Sequence, residues 1–195
     1  MAEVPAVVPT SGKVADLTGP GITDRFGMLC TDLGATVRAA DGNLVSVFGD
    51  TFSGHRVGVG DWRSPVILIG TGDATHGIVY HRAAGADRGY ARQLWRYRHS
   101  HNPGLLRRGI STVIPSDLLR VGDTLYLHAI VNQGFGNVVW TEIWRSDDDG
   151  ETWCTPARSS PLSSTAATPS AGRGTSTRKT AGCTWCRRVS SATRG

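Results

Sequence analysis

Between Asn43 and Trp153 the apolar residues come in short runs separated by Gly, Asp and Asn, and nowhere is a helical spacing sustained. This is how an antiparallel sheet protein reads. The clearest stretch begins at Asp117. Leu118–Val121 leads into a Gly122-Asp123 turn, and Thr124–Val131 follows as a strand with Leu125, Leu127, Ala129 and Val131 on one face. After a loop at Asn132–Asn137, a further strand is expected over Val138–Arg145, where Val138, Trp140, Glu142 and Trp144 alternate with Val139, Thr141, Ile143 and Arg145. A turn at Ser146–Gly150 then opens a fourth strand at Thr152. The pattern predicts an all-β fold with an antiparallel four-stranded meander, the size of one propeller blade.

The turn narrows the expectation. Ser146-Asp147-Asp148-Asp149-Gly150-Glu151-Thr152-Trp153 fits Ser-x-Asp-x-Gly-x-Thr-Trp and resembles the Asp-box turn of sialidase-like propeller blades. In such a turn Asp148 accepts hydrogen bonds from turn amides, Gly150 supplies a positive φ and Trp153 packs beneath. The plainer reading is an acidic hairpin turn, and in either case the motif speaks for a fold element rather than a reaction.

Beyond Trp153 the text changes. Cys154–Gly195 is dominated by Ser, Thr, Ala, Arg and Gly, so the expectation is that it neither buries a core nor completes the strand opened at Trp153. Its abruptness suggests a reading-frame shift, the rival being a disordered basic tail. The organisation expected is an extension at 1–17, a partial β-propeller at 18–153 and a low-complexity tail at 154–195. Charge follows the same division. The net +5 arises because the tail holds seven Lys or Arg and no acid, leaving the body slightly negative. The basic balance therefore does not point the body towards nucleic acid. Met1–Pro20 lacks the pattern of a secretory signal, and no window has membrane-spanning length. Cys30 is the body's lone cysteine, and the tail's Cys183-x-x-Cys186 without a second pair is weak as a metal or redox site.

Two acids stand out. Asp41-Gly42 is a strong hairpin signal, and folding there brings Asp32 and Asp50 to the same open end. A strict two-residue turn sets Asp32 opposite Thr51 and Asp50 opposite Leu33, pointing the acids to opposite faces; a bulge or a three-residue loop pairs them on one face. Paired carboxylates suit glycosidic cleavage, one protonating the departing oxygen while the other attacks carbon or activates water. The competing reading makes Asp32 and Asp50 ordinary turn residues.

Thr31-Asp32-Leu33-Gly34, Val47-Phe48-Gly49-Asp50-Thr51-Phe52, Trp62-Arg63-Ser64-Pro65, Ser111-Thr112-Val113-Ile114-Pro115-Ser116-Asp117 and Gly136-Asn137-Val138-Val139-Trp140-Thr141-Glu142 occur in that order. Together they resemble the successive motifs of an actinobacterial family, long classed as a domain of unknown function and now associated with endo-D-arabinanase activity on mycobacterial arabinogalactan and lipoarabinomannan. The resemblance covers roughly Thr18 to Trp153. It implies a five-bladed propeller, incomplete in this chain, with a site at its axis, Asp32 and Asp50 as the catalytic acids, D-arabinan as the polysaccharide substrate, no cofactor or metal, and action at the cell envelope or outside the cell. Loss of later blades implies poor folding and little activity.

Thr51, Trp62, Arg63, Ser64 and Asp117 are the expected substrate contacts, with Trp62 a stacking platform and Asp117 a third carboxylate. His99-x-His101 has spacing for a metal, but two histidines in a polar loop read as solvated. His128 reads as structural, and Arg107-Arg108 as too small a patch for nucleic acid. The rival to an enzyme is a non-catalytic glycan-binding propeller.

Overall fold

The computed structural model describes residues 11–100, 109–134 and 136–158. Along the chain the strands are β1 (Cys30–Thr31), β2 (Ala35–Arg38), β3 (Leu44–Phe48), β4 (Thr51–Phe52), β5 (Trp62–Arg63), β6 (Val66–Asp73), β7 (Gly77–Ala83), β8 (Thr112–Val121), β9 (Thr124–Asn132), β10 (Val138–Ser146) and β11 (Cys154–Arg158). A single 3-10 turn, Asp24–Phe26, is the helical element among the described residues. None of it is long and apolar enough to cross a membrane.

The strands form two antiparallel four-stranded sheets, β2-β3-β6-β7 and β8-β9-β10-β11, and a small sheet β1-β4-β5. The small sheet is an end-on continuation of the first. β1 precedes β2, β4 follows β3, and β5 precedes β6, with the strands interrupted at residues 32–34, 49–50 and 64–65.

The alternation expected of the second sheet is present: Leu125, Leu127, Ala129 and Val131 are all buried. Leu125 and Leu127 belong to the layer between the sheets, where Val45, Val47, Ile67 and Ile69 of the first meet Leu118, Leu125, Leu127 and Trp144 of the second, while Ala129 and Val131 pack with Val113 in a separate cluster. The opposite face of the first sheet is also covered, Phe48, Val66, Leu68 and Tyr80 packing with Phe26, Met28 and Ala91. Double coverage explains why all five residues of β3 are buried. The outer face of the second sheet carries exposed Leu119, Val121 and Ile143. Each four-stranded sheet is blade-sized, and the described residues do not close a ring.

Two expectations need correction. The first strand of the second sheet starts at Thr112 rather than after Asp117, because β8 is an edge strand and an edge tolerates Pro115 in its interior. The chain after Trp153 does complete its strand. Cys154–Arg158 pairs with β10 through Arg145↔Cys154, Ile143↔Ala157 and Glu142↔Arg158, backbone pairing that needs little from the side chains. Residues 159–195, with Cys183 and Cys186, lie outside the described residues, as do His101, Arg107 and Arg108.

The Ser146–Trp153 turn locks the sheets together. Asp148 Oδ1 accepts the Thr152 amide at 2.9 Å and the Ser146 hydroxyl at 2.8 Å, Gly150 has φ 89°, and Trp153 Nε1 donates to Gly150 O at 2.9 Å. Asp149 Oδ1 accepts the Ala40 and Asp41 amides of the first sheet's hairpin, while Glu151 lies 2.5 Å from Arg82 Nη1 on β7.

Candidate functional site

The hairpin loop decides where the two acids go. Ala39 N donates to Asn43 O at 2.9 Å and Gly42 N to Ala39 O at 3.2 Å, enclosing three loop residues with Gly42 at φ 89°. The register is accordingly Ala35↔Val47 through Arg38↔Leu44, and beyond the interruption Cys30↔Phe52 and Thr31↔Thr51. Of the alternatives open from the sequence, the three-residue loop is the one adopted, and it sets Asp32 against Asp50.

The interruption itself lies at this pair. Asp32 N donates to Asp50 O at 3.1 Å, while Asp32 O accepts from Gly49 N at 3.0 Å, so two residues of one strand face one residue of the other. Leu33, at φ 53°, absorbs the compensating turn. Gly49 leaves room for the Asp32 carboxyl where it stands: a Cβ would lie 2.7 Å from Asp32 Oδ1.

The two carboxyls differ in environment. Burial first, and then the Asp50 charge, hold the Asp32 carboxyl above its ordinary value, while the backbone amides of Asp50 and Asp32 pull the other way. Asp50 Oδ1 instead receives two donors, Trp62 Nε1 at 2.8 Å and Thr112 Oγ1 at 2.5 Å. Thr112 begins β8, so the second sheet helps to fix Asp50.

The expected contact residues separate. Trp62 is half-buried, stacked on Phe52 at 5.8 Å between centroids and on His99 at 3.9 Å. Thr51 and Ser64 are wholly buried, which removes them from direct substrate contact: the Thr51 hydroxyl donates to Gly49 O and meets Thr31 Oγ1, and the Ser64 hydroxyl donates to Val113 O. Arg63 is also buried. Its guanidinium donates to Ala91 O at 2.6 Å and to Gly27 O, and lies 4.4 Å from the centre of the Tyr90 ring. Asp117 is not brought to the site. It is exposed beside an irregularity in β8, five residues from Thr112, about 16 Å along an extended strand. His128, with Ser116 as its side-chain partner, sits at the same remove from Thr112.

Beside Trp62 opens a cleft of about 880 Å³ whose walls include Tyr90, Gln93, Arg96, Tyr97 and Arg98. One wall is the extended segment 93–99. Tyr97 Oη donates to Ser64 O at 2.6 Å and accepts from Val113 N at 3.0 Å, and burial pushes its phenol far above the usual tyrosine range. His99, expected to be solvated, is a partner of Trp62, and Thr112 was not singled out as a site residue. For Thr112 the signal was its place in a motif of the resemblance; for His99 there was none, since the contact that matters joins segments far apart in sequence.

A family model described as "Domain of unknown function (DUF4185)" matches residues 18–183. No curated protein matches the chain. Among solved structures, a protein of Bacteroides ovatus ATCC 8483 described as a "putative hydrolase" is similar over 71% of this chain at 17% identity and a TM-score of 0.42. The chain spans 41% of that protein's length.

Proposed function

The chain belongs to the DUF4185 family, and from that premise we propose that it is a glycoside hydrolase domain in which Asp32 and Asp50 are the catalytic pair. The observation that carries the reading is the placement of two unlike carboxyls against each other at a strand interruption. Asp32, held towards its protonated form by burial and by its neighbour's charge, is suited to protonate the departing glycosidic oxygen. Asp50, aligned by Trp62 and Thr112, is suited to act as the base or nucleophile on the other side of the bond. Trp62 and the adjoining cleft offer an aromatic edge and guanidinium donors for sugar rings and hydroxyls. In this assignment Thr51, Arg63 and Ser64 support the site from behind.

The resemblance of the ordered motifs to those of the endo-D-arabinanases favours internal D-arabinofuranosyl linkages of mycobacterial arabinan as the substrate, with action at the cell envelope. The same resemblance supports assigning the two sheets as successive blades of a propeller, and the Ser-x-Asp-x-Gly-x-Thr-Trp pattern of Ser146–Trp153 supports reading that turn as an Asp-box.

Incubation of the protein and its Asp32→Asn and Asp50→Asn variants with purified arabinan tests the reading. The wild type is expected to release oligosaccharides at a low rate, in keeping with the little activity that the resemblance implies, and each variant to lose about 10²–10⁴-fold of that turnover while still binding the polymer. Binding without cleavage by the wild type would make it a glycan-binding domain instead, and cleavage by both variants at the wild-type rate would remove the acids from the mechanism.

A further inference from the structure

The hydrogen bonds around His99 fix more than its position. Its Nδ1 lies 2.8 Å from Ser111 O, and a backbone carbonyl can only accept, so this nitrogen carries a proton. Its Nε2 lies 2.8 Å from Gln93 Oε1. The orientation of that amide follows from its other contacts. Gln93 Nε2 donates to Trp95 O at 2.7 Å and to Tyr97 O at 3.1 Å, while Oε1 also accepts Ser64 N at 3.3 Å. Rotating the amide would point its oxygen at two carbonyls and its NH2 at a backbone N–H. Both imidazole nitrogens therefore face acceptors, and a neutral ring can serve only one of them.

We infer that His99 stands in the folded protein as an imidazolium and that, through Trp62, it keeps Asp50 the charged member of the acid pair. The ring lies almost parallel to the Trp62 indole, 20° between planes and 3.9 Å between centroids, in the arrangement by which a cation is held on an aromatic face. A cation there draws electron density from the indole and strengthens the N–H that Trp62 gives to Asp50 Oδ1. Two adjacent carboxylates compete for one proton, and a positive charge behind Asp50 directs that proton to Asp32. His99 touches neither reacting atom, so it is a positioning residue for the proposed hydrolysis, and this part of the inference rests on that reading.

The surrounding charges set the balance. Asp50, beyond the indole, favours the second proton on His99. Arg63 on β5 and Arg96 and Arg98 on the cleft wall oppose it. Arg63 is turned to the carbonyls of Gly27 and Ala91, and Arg96 and Arg98 are exposed, where water and salt screen them. Tyr97, 4.8 Å away, contributes a neutral phenol, and neither Ser111 nor Thr112 on the β8 side carries charge.

Nitrogen-15 spectra of the histidine rings, with His99 identified by its contacts to Trp62, read the protonation state in the unaltered protein. Two protonated nitrogens are expected for His99 at pH 7; a neutral His99 at that pH overturns the inference. Carbon-13 titration of the Asp50 carboxyl then tests its influence. In His99→Gln the midpoint is expected to rise by roughly one pH unit, and an unchanged midpoint overturns the positioning role. Neither measurement depends on turnover. Absence of arabinan cleavage alongside both expected results would count against the hydrolase reading alone.

Discussion

Asp149 Oδ1 accepts a hydrogen bond from Ala40 N at 2.9 Å, tying the last turn of the second sheet to the hairpin loop that sets Asp32 against Asp50. The same oxygen takes the Asp41 amide at 3.3 Å, so one carboxylate satisfies two loop N–H groups. Asp149→Ala is expected to cost about 1–3 kcal/mol, since it removes a charge-assisted contact and leaves alanine at a φ of 54°. Asp149→Gly relieves the backbone and isolates the contact. Urea midpoints for the two variants provide the check, and an Asp149→Ala midpoint equal to that of the wild type would show the clamp to be idle.

Asp32 links stability to pH with a definite sign. Because its folded-state value is raised above the ordinary 3.8, the folded chain binds this proton more tightly than the unfolded chain. The resulting stabilisation is complete below the ordinary value and is lost as pH rises through the raised one. Asp32→Asn, which cannot titrate, should thus melt no lower than the wild type at pH 7. Towards acid the wild type should gain on the variant. Thermal melts across the carboxylate range would refute this if the variant were the less stable protein at neutral pH.

Gly49→Ala should damage the site more than the fold. The added Cβ meets the end of the Asp32 side chain at 2.7 Å, whereas its nearest backbone neighbour, Asp32 O, is 3.3 Å away. The cheapest relief is rotation of the carboxylate away from Asp50. A shifted Asp32 titration with a melting temperature changed by only a few degrees is the expected pair of results. A large loss of stability with an unmoved titration would place the strain in the backbone instead.

The second sheet was legible in the sequence because Leu125, Leu127, Ala129 and Val131 alternate cleanly and Gly122-Asp123 marks the turn. Its edges were not. Pro115 hides the first half of β8, and Cys154–Arg158 lacks the apolar residues that announce a strand, since its place in β11 rests on pairing with β10. The acids could be named from their motifs, but their facing could not, because two- and three-residue loops around Asp41-Gly42 read alike and differ by one step of register. Thr51 and Ser64 look like surface hydroxyls in sequence, and only the folded chain shows them buried, Thr51 against Gly49 O and Thr31 and Ser64 against Val113 O of β8. Trp62 and His99 met by tertiary contact alone, which no local spacing records.

Trp62 carries two functions that a single substitution separates. Its ring stacks with Phe52 and His99, and its N–H holds Asp50. Trp62→Phe keeps an aromatic ring in the stack but deletes the donor, leaving the Thr112 hydroxyl on Asp50 Oδ1. A hydrogen bond to a charged group contributes about 1.5–3 kcal/mol, so turnover on arabinan should fall roughly 10- to 150-fold. Polymer affinity should change much less, because the aromatic surface remains. Trp62→Ala removes both functions and should weaken binding as well. The comparison is made by kcat and KM on one arabinan preparation. Equal turnover by wild type and Trp62→Phe would mean that the indole N–H does not align Asp50 for the reaction, and that Trp62 serves only as a surface for the sugar.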